Sequence, residues 1–338
     1  MAQFTRRQAL GLIGVTAVSP FIGLPAYAAT QKIAVGALRF TSHAASFVAY
    51  ERGYFAAAGL DVEFKFFQAA QPMAVGVASG DVDYAVTAIS GGLISLAEKG
   101  AAKVIGGALS ESSGIDGQKI LVSDAAFKEG IIDPSELDGR TFGITQSGSS
   151  FHYMGAQIAE QENIALKYKP LQKTPAIIGA IKSGQIDAWT IVPHIAKPLA
   201  ASGAVHIIGD VGGYIPNYQV TTVFTSADNA ANERAKTEAF LTAFSQGAAD
   251  FNAALVDRTA GDEAADEMVK LVHKYVYTDR PFEKAAPSII NGAMRINANA
   301  SMNIDSISNQ LEWFKSEGLV KDSISLNTLV DSSYVETL

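Results

Sequence analysis

The chain contains no cysteine, which excludes thiol catalysis, disulfide bonds, thiolate metal sites and a lipid-modified N-terminal cysteine. It has only five histidines, at positions 43, 152, 194, 206 and 273. None pairs at the i, i+4 spacing of a helical metal site, and H-E-x-x-H is absent. The phosphate loop of nucleotide hydrolases, G-x-G-x-x-G and the G-x-S-x-G nucleophile turn are missing as well. Ser147 and Ser149 have no base partner visible in the sequence. No catalytic residue, metal or cofactor is therefore expected. Charge is sparse too: 18% of residues, with a formal net charge of −8 and a pI near 5.2. Nucleic acid binding needs a basic footprint, so that partner is excluded.

What is present is 338 residues, 48% of them hydrophobic, enough for two domains of about 150 residues each. One phrase occurs twice, as Ser79-Gly80-Asp81-Val82-Asp83-Tyr84-Ala85 and as Ser183-Gly184-Gln185-Ile186-Asp187-Ala188-Trp189. Each copy follows a helix-like stretch and opens a short apolar run that reads as a buried parallel strand. The glycine suits a left-handed helix cap, and the aspartate suits a turn in which its carboxylate bonds nearby N–H groups. The elements upstream repeat in the same order, strand, polar loop, helix, strand, helix. Two similar α/β lobes facing each other follow from that match.

Residues 1–28 read as an export signal. Arg6 and Arg7 form its positive start, Ala9 to Val18 its apolar core, and Ala26-Tyr27-Ala28 its cleavage site. Thr5-Arg6-Arg7-Gln8 also resembles a twin-arginine signal, and the choice between that route and the general one stays open. A free periplasmic protein is the expectation.

In an open parallel sheet, ligands sit beyond the C-terminal ends of the strands. Here those ends are polar: Phe40, Thr41, Ser42 and His43; Gln68 and Gln71; Ala88 and Ser90. The loop Thr145–Ser150 supplies Ser147, Gly148, Ser149 and Ser150, and the end of a later strand supplies Trp189 and Thr190. Asn217 and Tyr218 close the set. Free N–H groups at helix N-termini favour a carboxylate or sulfonate. Phe40, Trp189 and Tyr218 suit a planar ring, as do His152 or Tyr153. Alternatives remain at this stage: the serines as helix caps, Trp189 as packing, and His43 as either donor or neutral core side chain.

The run Glu51-Arg52-Gly53-Tyr54-Phe55, then Gly59-Leu60-Asp61-Val62, resembles the binding proteins of ABC importers for nitrate, sulfonates, taurine and thiamine-type pyrimidines. The likeness continues through Leu137-Asp138-Gly139-Arg140-Thr141-Phe142-Gly143-Ile144 and Gly184-Gln185-Ile186-Asp187-Ala188-Trp189, over roughly residues 31–225. It implies an α/β, two-lobed periplasmic binding protein of type 2, each lobe a mostly parallel sheet flanked by helices, with two crossing hinge strands. The expected division is 29–115 with 226–338 as the first lobe and 116–225 as the second. The implied role is a monomer that closes on a small organic anion, an aromatic or heterocyclic carboxylate or sulfonate, and delivers it to an ABC transporter permease in the inner membrane. Two other roles stay open: a sensor docking on a membrane receptor, and an enzyme of the same fold acting on a pyrimidine-like substrate.

Overall fold

The computed structural model describes residues 30–338; the expected signal at 1–28 lies outside the described residues. Four strands open the chain, β1 (Gln31–Ala37), β2 (Leu60–Phe66), β3 (Tyr84–Thr87) and β4 (Lys103–Gly107). The next five are β5 (Lys119–Ser123), β6 (Thr141–Ile144), β7 (Lys167–Pro170), β8 (Ala188–Ile191) and β9 (Val205–Asp210). A last strand, β10 (Thr222–Thr225), follows. They form two five-stranded sheets, ordered β2-β1-β3-β10-β4 and β7-β6-β8-β5-β9. In each sheet the first three strands run parallel and the fourth is antiparallel to both its neighbours. The two orders superimpose element for element. β10 belongs to the first sheet, and residues 211–221 run from the second sheet back to it.

The repeated phrase shows why the lobes match. Gly80 and Gly184 both take positive φ, 81° and 69°, where a Cβ is disfavoured. The aspartates do not serve the local turn that the sequence suggests. Asp83 Oδ2 accepts the N–H of Ala34 at 2.8 Å, and Asp187 Oδ2 accepts that of Thr141 at 2.7 Å. Each carboxylate thus ties the start of its own strand to the neighbouring parallel strand, taking the place of a ladder carbonyl. Removing one should cost about 1.5–3 kcal/mol, the range for a hydrogen bond to a charged group. Asp83→Ala is expected to lower the denaturant midpoint accordingly, with an unchanged slope; an unaltered midpoint would show the tie to be idle.

A long helix, Arg234–Phe251, braces the first lobe. Its Phe240 stacks on Tyr84 of β3, ring centroids 4.3 Å apart, and on Phe55 at 5.3 Å. At Gly247 the backbone meets that of the helix Ala44–Glu51, where a Cβ would lie 2.2 Å from the Ala45 carbonyl oxygen. The C-terminal segment is otherwise helical and packs on this lobe; its helix Phe282–Ile290 reaches the second-lobe helix Pro193–Ala201.

Candidate functional site

The C-terminal ends of β1, β3, β6 and β8 converge between the lobes on a partly open cavity of about 60 Å³, room for several water-sized groups. The lobes are shut over it. Gly91 of the first lobe donates its N–H to the carbonyl of Gly148 in the second at 2.9 Å, and Thr174 donates to the carbonyl of Gln68 at 3.3 Å. Tyr277 and His194 join the lobes at one side, the hydroxyl 3.1 Å from His194 Nδ1 and bonded to its carbonyl at 2.5 Å. Beside them, Lys197 Nζ donates to the Asn291 carbonyl at 2.7 Å.

Among the described residues, no Asp, Glu, Lys or Arg lines the cavity. Its polar groups are hydroxyls, among them Ser42, Thr87, Thr145 and Thr174, one amide, Gln118, and one imidazole, His43. Burial lowers the pKa of His43 to about 3, so at neutral pH it is uncharged. Its Nδ1 accepts the N–H of Leu38 at 3.4 Å, which leaves the proton on Nε2 as a neutral donor. Gln118 is buried and its amide nitrogen has no hydrogen-bond partner among the described residues. Its backbone N–H donates to Glu111 Oε1 at 2.9 Å, fixing the first crossing segment at that point.

Two helix N-termini open on the cavity, one from each lobe. The helix Ala70–Ala78 begins without a side-chain cap, and the N–H groups of Ala70 and Gln71 have no partner among the described residues. The helix Ser150–Glu162 has its His152 N–H taken by Ser149 Oγ at 3.4 Å, while those of Ser150 and Phe151 are unpartnered among the described residues. Such ends concentrate unpaired donors and about half a positive charge. A third helix, Thr174–Lys182, also starts here, but Thr174 N–H is used by Gln68 and Pro175 has none.

Of the residues singled out in the sequence, Phe40, Ser42, His43, Ala88, Ser149 and Ser150 line the cavity. Thr41 is buried behind them. Gln68 lies in a groove outside Phe40, and the Gln71 side chain packs on Gly92. Ser90 caps the helix Gly91–Glu98 by accepting from Leu93. Ser147 is exposed, and Gly148 is held by the lobe contact and by donating to His152 Nδ1 at 3.2 Å. Trp189 is fully buried inside the second lobe, edge-on to Phe151 at 5.4 Å, and Thr190 is buried in β8 beside it. Tyr218 is buried against Tyr153, while the Asn217 carbonyl accepts from Asn303 on the outer side of the return crossing. Arg39 stacks over Phe66 at 3.7 Å outside the cavity. Gln118, Thr174 and Thr221 are lining residues that the strand-end rule omits. Gln118 and Thr221 sit on the segments that cross between the sheets, 108–118 and 211–221, and Thr174 opens a helix after the second strand of its lobe.

Residues 40–254 match the family model described as NMT1/THI5 like. No curated protein matches the chain. Among solved structures, the alkanesulfonate-binding protein SsuA from Xanthomonas axonopodis pv. citri bound to MOPS aligns with a TM-score of 0.70 at 14% identity, over 89% of this chain and 98% of its own. The periplasmic aliphatic sulphonate binding protein SsuA from Escherichia coli gives 0.67 at 16% identity, over 91% and 93%. The periplasmic nitrate-binding protein NrtA from Synechocystis PCC 6803 gives 0.65 at 12%, over 90% and 86%. At such identities the likeness is one of fold.

Proposed function

The chain belongs to the NMT1/THI5-like family, and from that premise we propose that it is an exported, monomeric solute-binding protein serving an ABC importer. Its ligand is a small organic anion, an aromatic or heterocyclic carboxylate or a sulfonate, held in the cavity between the lobes. The observation that carries this reading is the pair of helix N-termini, one per lobe, with unpartnered N–H groups on an otherwise uncharged cavity. An oxyanion placed between them receives donors from both lobes, so binding favours closure, and the closed pair of lobes is the surface the permease reads. Phe40 of the first lobe and Phe151 of the second both line the cavity and suit a ring or alkyl stem. The cavity favours a ligand no larger than a single-ring acid.

Binding rather than catalysis is supported by the lining itself. Among the described residues that line it there is no carboxylate, and the one imidazole has its basic nitrogen engaged by Leu38, so none of these groups is placed to take a proton.

A thermal-shift screen of the purified protein tests this reading against aromatic carboxylates, pyrimidines, taurine, alkylsulfonates and nitrate. A ligand at 100 times its dissociation constant adds about 2.7 kcal/mol, a rise of several degrees for a chain of this size. One chemical class of anion is expected to produce it; no response from any acid in the panel would sink the proposal. Gln118 gives a second check. Replacing a buried amide that lacks a partner by an apolar side chain relieves its desolvation cost. Gln118→Leu should therefore melt no lower than the parent when unliganded, yet lose most of the ligand-induced shift. A lower unliganded melting point would assign Gln118 to support of Glu111 instead.

A further inference from the structure

Phe40 borders three spaces at once: the cavity between the strand ends and two grooves beside it. The larger groove, about 360 Å³, runs along the seam between the lobes. Arg39, Phe40, Tyr277 and Arg280 form its first-lobe wall, and Lys182 and His194 stand opposite. The smaller, about 250 Å³, continues it past Arg39 and Phe66 to Gln68.

Arg39, Lys182 and Arg280 are all exposed, and none takes part in an ion pair among the described residues. Among the described residues, no Asp or Glu lines either groove. The grooves thus present three cations on a chain with 34 acidic residues against 26 basic ones. Two of the cations are also held in place. The Arg39 guanidinium lies 3.7 Å over the Phe66 ring and donates to the Tyr275 carbonyl at 3.2 Å, and that of Arg280 lies 4.4 Å over Tyr277. A guanidinium stacked on a ring keeps edge N–H groups free for a carboxylate or sulfonate.

We propose that the groove between Arg39, Lys182 and Arg280 is an outer anion site, which collects the charged group of the ligand before it passes Phe40 into the cavity. This rests on the reading of the ligand as an organic anion. The two compartments then divide the work. The outer one selects by sign of charge and sets the association rate, since a patch of one sign raises encounter rates by about ten- to a thousandfold. The inner one, which has no charged side chain, selects by shape and hydrogen bonds and sets the dissociation rate. Because Arg39 and Arg280 belong to the first lobe and Lys182 to the second, an anion in the groove also draws the lobes together.

Two nitroxides of the same shape test the outer site without any knowledge of the natural ligand: anionic 3-carboxy-PROXYL and neutral 3-carbamoyl-PROXYL, used as relaxation probes on the amide spectrum of the intact protein. At low ionic strength the anionic probe should broaden the amides of Arg39, Lys182 and Arg280 about threefold more than the neutral one. The excess should vanish in Arg39→Gln/Lys182→Gln/Arg280→Gln and at high salt, where screening shortens to about 3 Å. Equal broadening by both probes in the parent protein overturns the site. Stopped-flow mixing with benzoate tests the route. The triple variant should associate about tenfold more slowly at low salt, with dissociation changed less than about twofold. An unchanged association rate places the access route elsewhere and overturns it. If benzoate and the other acids do not bind at all, the importer-ligand reading fails, and the nitroxide result still decides whether the groove holds anions.

Discussion

Acidification from pH 7 to pH 4.5 should destabilise the unliganded protein by about 2–3 kcal/mol for each of His43 and His194. Both are 1% exposed, and the pKa of each is lowered to about 3. Burial is the cause for His43; for His194 burial is the larger cause and the nearby His43 adds to it. The sign follows from proton uptake. Above about pH 6.5 both residues are neutral in the folded and unfolded chain, and they add no pH dependence. Below it the unfolded chain binds protons that the folded chain refuses, so stability falls until the pH reaches about 3. The slope is at most about 1.4 kcal/mol per pH unit for each histidine. Chemical denaturation at a series of pH values reads this directly. In His43→Gln/His194→Gln the loss between pH 6.5 and 4.5 should flatten, because carboxylates titrate mostly lower. Identical profiles in variant and parent would show that neither imidazole is kept neutral by burial. His194 meets Phe40 edge-on at 5.2 Å and bonds Tyr277 across the seam. Opening the lobes hydrates it, so ligand affinity should weaken over the same pH range.

Gly292→Ala should weaken ligand binding by about a hundredfold or more while leaving the fold intact. Gly292 follows the helix Phe282–Ile290 on the first-lobe side, and the helix Pro193–Ala201 presses on it from the second. A Cβ at 292 would lie 2.2 Å from His194 Cβ, 2.3 Å from its Cα and 2.5 Å from its backbone nitrogen. No rotamer change relieves a clash with backbone, so the lobes must part by more than an ångström. The two backbone bonds across the cleft, Gly91 to Gly148 and Thr174 to Gln68, do not stretch that far. If binding energy is drawn from both lobes, losing one lobe's donors removes on the order of 3 kcal/mol, which is the hundredfold. Small-angle scattering with ligand present should show a larger radius of gyration for the variant, and titration the weaker affinity. A variant that closes and binds like the parent would mean that the 282–292 segment moves with the second lobe.

Much of the architecture was legible because it is written in backbone needs. Gly80 and Gly184 mark left-handed caps, the apolar runs after them are short and unalternating, and the two upstream patterns match. These features constrain the chain locally, so local rules find them. Asp83 and Asp187 were visible but misread: their partners lie 49 and 46 residues away on adjacent strands, a contact that only the sheet order brings about. The cavity lining was legible only where loops leave strands. Phe40, Ser42, His43, Ser149 and Ser150 stand where strands pass into helices, and the cavity is there. Trp189 stands two residues before the strand end, which puts its ring inside the lobe, while Ile191 and Val192 reach the cavity. Apolar lining residues such as these, Leu38 or Val220 have the same composition as the core. Gln118 and Thr221 arrive from crossing segments, whose approach to the cavity depends on how the lobes close.

The sheet orders also impose a sequence of events on folding. The second sheet draws all its strands from residues 119–210, so that segment can mature as soon as it exists. The first sheet cannot. β4 joins it only through β10, which follows the whole of the second lobe in the chain. Until residue 225 has been placed, β3 is an exposed edge, open to wrong partners, and the loop to be closed is long. The amino-terminal half is thus made first and finished last. In pulse-labelled hydrogen exchange, amides of Leu121 and Trp189 should gain protection before those of Val86 and Val104. Agents that shield an unpaired strand should rescue yield most when they act on the nascent first lobe.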